Sequence, residues 1–148
     1  MKRAVLLLTV VCALALPSSA GAYVYWSNNG GSASMIGRAA LNGSGADQSF
    51  IDGATSPYGV AVDASHLYWT NGGGTNSIGR ADVDGGNADQ DFITGAGSPV
   101  GVAVDGSHVY WTNDATNAIG RANLDGSSPD QAFIAGLDSA EGLSLIHI

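Results

Sequence analysis

Short apolar runs alternate with polar turns along this chain, four of them in roughly every 42 residues. In the central part the runs are GVAVD from Gly59, HLYWT from His66, SIGRADV from Ser77 and QDFIT from Gln90. In an extended chain Val60 and Val62 point to one side and Ala61 to the other. The links are rich in Gly, Asn, Asp and Ser, and include Asn71-Gly72 and Asp84-Gly85, pairs that suit tight turns. Past the N-terminal apolar segment no stretch joins helical periodicity to helix-forming residues, and 22 glycines weigh against helices. Strands about ten residues apart with turn signals between them predict an all-β fold.

The runs recur. Trp26, Trp69 and Trp111 are spaced by 43 and 42 residues, and the Ile-Gly-Arg triplets ending in Arg38, Arg80 and Arg121 by 42 and 41. Asp47-Gln48, Asp89-Gln90 and Asp130-Gln131 keep step, as do Phe50-Ile51, Phe92-Ile93 and Phe133-Ile134. Four strands per unit of this length is the blade of a β-propeller. Repeats are expected to start near residues 23, 67 and 109, with the propeller region covering 23–142. Each Trp is expected to wedge between adjacent sheets, since a ring of that size supplies much of an interface's buried area.

YWSN, YWTN and YWTN, each followed by IGRA and then LNG, VDG or LDG, resemble the YWTD repeats of the low-density lipoprotein receptor class B family. SPYGVAVD and SPVGVAVD match that family's Pro-x-Gly-hydrophobic-Ala-hydrophobic-Asp strand. NHL repeats share that last element but lack the Tyr-Trp pair. The resemblance implies six-bladed propellers and binding rather than catalysis. Where the family motif ends in Asp, this chain has Asn28, Asn71 and Asn113. An amide accepts a hydrogen bond from a turn N–H or an arginine but makes no ion pair. Arg38, Arg80 and Arg121, if they bridge blades, are therefore expected to use neutral acceptors or other carboxylates such as Asp63 and Asp105.

The first residues read as a signal helix rather than part of the fold. Lys2 and Arg3 precede thirteen apolar residues, 4–16, too few to span a bilayer, and Ala20 and Ala22 form a cleavage pattern. A signal peptide over 1–22 predicts a secreted protein, extracellular or periplasmic, with no transmembrane span in the mature chain. Cleavage would discard the single cysteine, Cys12, and with it disulfides and thiolate chemistry. Losing Lys2 and Arg3 leaves three arginines against 13 acidic residues, a net charge of −10. Such a surface repels phosphate backbones, which argues against nucleic acid.

Three repeats are too few for a ring of roughly four to eight blades, and six would need about 250 residues. After SAEG the expected LAVDGSHVYWTN is replaced by LSLIHI, residues 143–148. CTG TCT CTT ATA CAC ATC, which encodes that hexapeptide, looks like the end of a sequencing-library transposase adapter. We therefore read residues 143–148 as a non-native tail on a truncated chain, and exclude His147 as a site residue. The ring would be completed by the remaining blades of a longer protein or, as the weaker alternative, by a second copy.

No catalytic constellation stands out. Ser65-His66 and Ser107-His108 sit at repeat-equivalent turns, and neither a catalytic nor a metal site is predicted. DVDGGNAD, residues 82–89, hints at calcium but fails the EF-hand spacing and reads as a hairpin; no cofactor is expected. Asn42-Gly43-Ser44 fits a glycosylation sequon. The candidate binding surface is the set of loops before the GVAVD strands, at one mouth of the channel: Pro57, Tyr58, Pro99, Val100 and Glu141. The expected function is a secreted, non-enzymatic module that binds a protein or glycan. The alternative is part of a secreted propeller lyase or hydrolase whose channel-mouth site lies in other blades.

Overall fold

The computed structural model describes residues 22–30 and 34–145. The predicted signal helix apart from Ala22, Cys12, and the end of the predicted tail with His147 lie outside the described residues.

The strands form three antiparallel sheets, each in chain order. The first holds β1 (Tyr23–Asn28), β2 (Met35–Ala40) and β3 (Asp47–Ile51). The second holds β4 (Pro57–Val62), β5 (His66–Asn71), β6 (Ser77–Asp82) and β7 (Asp89–Ile93). The third holds β8 (Pro99–Val104), β9 (His108–Asn113), β10 (Ala118–Asn123) and β11 (Asp130–Ala135). These are the expected blades. Among the described residues the first sheet holds three strands, one fewer than the other two. Hairpins close where the turn residues stand: Gly85 has φ +92° and its N–H donates to the Asp82 carbonyl at 2.9 Å, a backbone shape that a side chain would strain.

The Tyr-Trp-Thr run packs both neighbours at once. Period-two alternation sends Leu67 and Trp69 of β5 back onto blade 1, where they meet Ile36, Ile51 and Ala54. Tyr68 goes the other way, into a cluster with Ile78, Ile93, Val109 and Trp111 between blades 2 and 3. Trp69 and Trp111 are wholly buried, whereas Trp26 is half-buried. Each indole lies over the glycine directly opposite it, Gly37, Gly79 or Gly120, where a Cβ would overlap the ring. Ile-Gly-Arg therefore carries its glycine because the tryptophan needs that space.

Polar ties repeat at each junction. Trp69 Nε1 donates to Gln90 Oε1 at 3.0 Å, and Gln90 Nε2 reaches back to the Asp52 carbonyl of blade 1 at 2.8 Å. Trp111 and Gln131 repeat this, with Gln131 Nε2 on the Thr94 carbonyl at 3.0 Å. Thr70 Oγ1 donates forward to the Val100 carbonyl at 2.9 Å while accepting from the Gly59 N–H at 2.9 Å.

Arg38 and Arg80 reach the next blade through neutral main-chain acceptors and not through Asp63 or Asp105, and no such bond is seen for Arg121 among the described residues. Arg38 Nη1 donates to the Val83 carbonyl at 3.4 Å and Arg80 Nη1 to the Leu124 carbonyl at 3.2 Å. Each guanidinium stacks on its own blade's phenylalanine: Arg38 on Phe50 at 3.8 Å, and Arg80 on Phe92 and Arg121 on Phe133 at 3.9 Å. Arg80→Met removes one charged-donor bond and one cation–π contact at a partly exposed site. It is expected to lower stability by about 1 kcal/mol, a few degrees in a thermal melt.

The buried asparagines act within blades and toward the linkers. Asn71 Nδ2 donates to the Gln90 carbonyl at 2.8 Å and its Oδ1 accepts from the Thr55 N–H at 2.9 Å. Asn113 repeats this with the Gln131 carbonyl at 2.7 Å and the Gly97 N–H at 2.8 Å. Asn28 Nδ2 donates to the Gln48 carbonyl at 3.0 Å. An ionised carboxylate in these places would face a carbonyl with no proton to give.

Candidate functional site

The sheets come closest where β4 and β8 run side by side. Glycine permits this approach: a Cβ on Gly59 would stand 2.7 Å from the Val100 carbonyl oxygen and 2.9 Å from the Val102 nitrogen. Residues 141–143 sit against β8 as β8 sits against β4, since a Cβ on Gly101 would meet the Glu141 oxygen at 2.7 Å and the Leu143 nitrogen at 3.1 Å.

At one end of these strands a shallow groove of ≈ 430 Å³ is lined by residues 58–60, 100–102 and 141–143. Tyr58, Val100 and Glu141 thus meet on one surface. Between Pro57, opposite Asn71, and Val60, opposite Trp69, β4 carries one residue more than β5. Such a bulge re-aims a side chain, and Tyr58 is 52% exposed. Val100 occupies the same bulge in β8 and is half-buried, while Glu141 is exposed.

Pro57 and Pro99 depart from expectation. Both are buried and belong to strands rather than to an exposed loop, so the accessible part of each mouth begins one residue later. The preceding serines explain the tight path. Ser56, Ser98 and Ser139 take φ of 46°, 52° and 52°, a left-handed shape uncommon outside glycine. That turn aims the Ser56 carbonyl at the Gly72 N–H (3.3 Å) and the Ser98 carbonyl at the Asp114 N–H (3.2 Å), pinning each mouth to the β5 or β9 end.

A second cleft, ≈ 500 Å³, lies at the opposite end, walled by Val62, Val104 and Leu124 with Asp63, His66 and Asp105. Asp63 Oδ1 accepts from the main-chain N–H of Ser65 and His66 at 2.7 and 2.8 Å, and Oδ2 from the Tyr68 hydroxyl at 3.0 Å. Asp105 repeats the pattern with Ser107, His108 and Tyr110. The Ser-His pairs therefore close turns through their backbones. Burial pushes the Asp63 carboxyl up, but the two main-chain donors, the tyrosine hydroxyl and His66 together hold it below its usual value. Burial and the Asp63 carboxylate push the Tyr68 phenol well above its ordinary range.

A lowered carboxylate pKa contributes stability that is full above the unfolded value, about 3.9, and is lost as pH falls through the lower folded value. Asp63→Asn is thus expected to cost about 1 kcal/mol at pH 7 and to shrink the acid-side fall in stability, read from urea melts between pH 7 and pH 2.

In the segment 82–89, Asp82 Oδ2 accepts from Asn87 Nδ2 at 2.7 Å and Asp84 Oδ1 from the Gly86 N–H at 2.8 Å. Among the described residues no three His, Cys, Asp or Glu side chains are grouped to hold a metal ion, and no helix is long and apolar enough to cross a membrane.

The tryptophan–glycine pairs, the Gln90 and Gln131 ties and the Thr70 relay were not assigned from sequence. Their signal was present in the constant Gly-to-Gln spacing, Gly37 to Gln48, Gly79 to Gln90 and Gly120 to Gln131, that follows each tryptophan. No family model and no curated protein matches the chain. Among solved structures it matches a chain from a crystal structure of a nidogen/laminin complex, with a TM-score of 0.61 and 28% sequence identity. The match covers 74% of this chain and 43% of that one, so this chain spans less than half of its neighbour's length. With the three stacked sheets, the likeness establishes a β-propeller blade fold.

Proposed function

We propose that the chain is part of a secreted, non-catalytic β-propeller of the YWTD type that binds a protein partner through the groove at Tyr58, Val100 and Glu141. The observation that carries the reading is the convergence of those three residues, from successive repeats, on one concave surface. A half-exposed tyrosine on a rigid strand gives a partner large contact area at little ordering cost, and the adjacent glutamate gives it direction. The neighbour's crystal structure is itself of a protein–protein complex, and the signal-peptide pattern favours an extracellular setting. The use of Ser65 and His66 main-chain groups to close a turn favours binding over hydrolysis.

A photo-cross-linking residue in place of Tyr58 should capture one protein from the source's secreted fraction. The same residue in place of Leu41, 69% exposed, should not. With the captured partner purified, Tyr58→Ala is expected to weaken binding about 30-fold, roughly 2 kcal/mol, and Glu141→Lys to change the salt dependence of association. Unchanged binding in both variants, or turnover of a substrate, would overturn the reading.

A further inference from the structure

The structure assigns to the cleft between Val62 and Val104 a ligand of its own: a small organic cation, a primary ammonium on a short aliphatic chain. The cleft lies at the end of the strands opposite the Tyr58 groove and does not depend on that groove's having a partner. Its volume of ≈ 500 Å³ falls among small-molecule sites, about 300–1,000 Å³. Blades 2 and 3 build it together, from chain that is described on both sides. Val62 and Val104 end β4 and β8, Asp63 and Asp105 follow them, and Leu124 follows β10.

One half of the cleft is apolar. Val62 is 47% exposed, and Val104 and Leu124 are half-buried. The other half is anionic. Burial pushes the Asp63 and Asp105 carboxyls up, but two main-chain N–H groups, a tyrosine hydroxyl and the neighbouring histidine together hold each below its ordinary value. Both are therefore charged at neutral pH. Oδ1 of each aspartate takes the two N–H groups and Oδ2 takes the hydroxyl, which leaves Oδ2 room for a second donor.

Neither charge has a permanent counter-ion. Among the described residues, the basic groups within 4 Å of these carboxylates are His66 Nδ1 and His108 Nδ1, each 3.8 Å from Oδ1 of its aspartate. His66 Nε2 faces Asp82 instead, at 3.7 Å. Arg80 is occupied, donating to the Leu124 carbonyl at 3.2 Å and lying over the Phe92 ring. A metal ion would want a larger oxygen shell, and no three His, Cys, Asp or Glu side chains are grouped for one among the described residues. An ammonium needs no such shell. Its three donors take carboxylate oxygens and water, while its carbon chain covers the valines and Leu124.

The test titrates n-butylammonium into the full chain at neutral pH and constant ionic strength, read by methyl NMR. Saturable shifts are expected at Val62, Val104 and Leu124, with Val100 in the other groove unmoved. Butanol and butyrate are expected to bind at least ten-fold more weakly. Methylammonium is expected to be about ten-fold weaker, since a fully buried methylene is worth about four-fold. Asp105→Asn is expected to weaken butylammonium about ten-fold. Because that change also loosens a turn, a second variant carries the test. Ala64 is exposed and lines the cleft, so Ala64→Lys supplies a tethered ammonium and is expected to abolish binding of the added amine with the melting temperature unchanged. Acetyl-lysine methylamide separates a free amine from the lysine of a partner protein, and is expected to bind more weakly than butylammonium. Tighter binding by the lysine derivative, equal binding by butanol, or unchanged affinity in Ala64→Lys overturns the assignment. So does the absence of a saturable shift up to about 100 mM amine.

Discussion

Trp69→Ala is expected to destabilise the protein by about 3–5 kcal/mol, the range for emptying a large buried aromatic site. Trp69 is fully buried between blades 1 and 2, so the loss falls on an interface and not on one sheet. It also leaves Gln90 Oε1 without its indole donor and loosens the glutamine's reach to Asp52. Native domains are stable by only about 5–15 kcal/mol, so the variant would stand near the midpoint of unfolding at modest temperature. Trp26→Ala is expected to cost far less, since Trp26 is only half-buried. Urea melts of the two variants give the comparison. A further check is Gly79→Ala, destabilising in the parent because the new Cβ overlaps the indole and close to neutral in the Trp69→Ala background. That non-additivity is the signature of direct contact.

Gly59→Ala is expected to cost about 2–3 kcal/mol, the upper part of the range for overpacking. The atoms its Cβ would meet are main-chain atoms of the next blade, the Val100 oxygen and Val102 nitrogen, and cannot rotate away. The two inner strands would have to separate, stretching the Thr70 bonds to Gly59 and Val100. Gly106→Ala is the control: nothing lies within 4 Å of its Cβ, and the expected change is within about 0.5 kcal/mol. Thermal melts of both decide whether close approach or flexibility keeps the glycine. Equal losses would mean the inner strands are free to part.

The sheets were legible because their signals are local. Alternation and turn residues mark β4 to β7 within a residue or two, and the spacing of the tryptophans marks the blades. Direction was not legible. Nothing in Tyr68-Trp69-Thr70 says which neighbour each faces, yet Trp69 looks back and Tyr68 and Thr70 look forward. The arginines were expected to use neutral acceptors or carboxylates, but which neutral acceptor was not legible for a related reason: Val83 and Leu124 offer carbonyls, and every residue has one. Asp63 and Asp105 looked available as charges but are engaged by their own turns and by Tyr68 and Tyr110. At the groove, the order Ser-Pro-Tyr suggested an exposed loop. The bulge at Tyr58 and Gly59 buries the proline and turns out the tyrosine, and a bulge depends on pairing that one strand's sequence does not display.

Each cross-sheet tie described here links a blade only to the next one. Among the described residues blade 2 is covered on both faces, whereas Phe133 and Ile134 of β11 are 39% and 44% exposed, against 2% for Ile93 at the matching place in β7. Opening should therefore travel inward like a zipper from the flanks, with no step at which all sheets separate together. Isotope exchange would then rank amides by blade, the central sheet holding its protons longest.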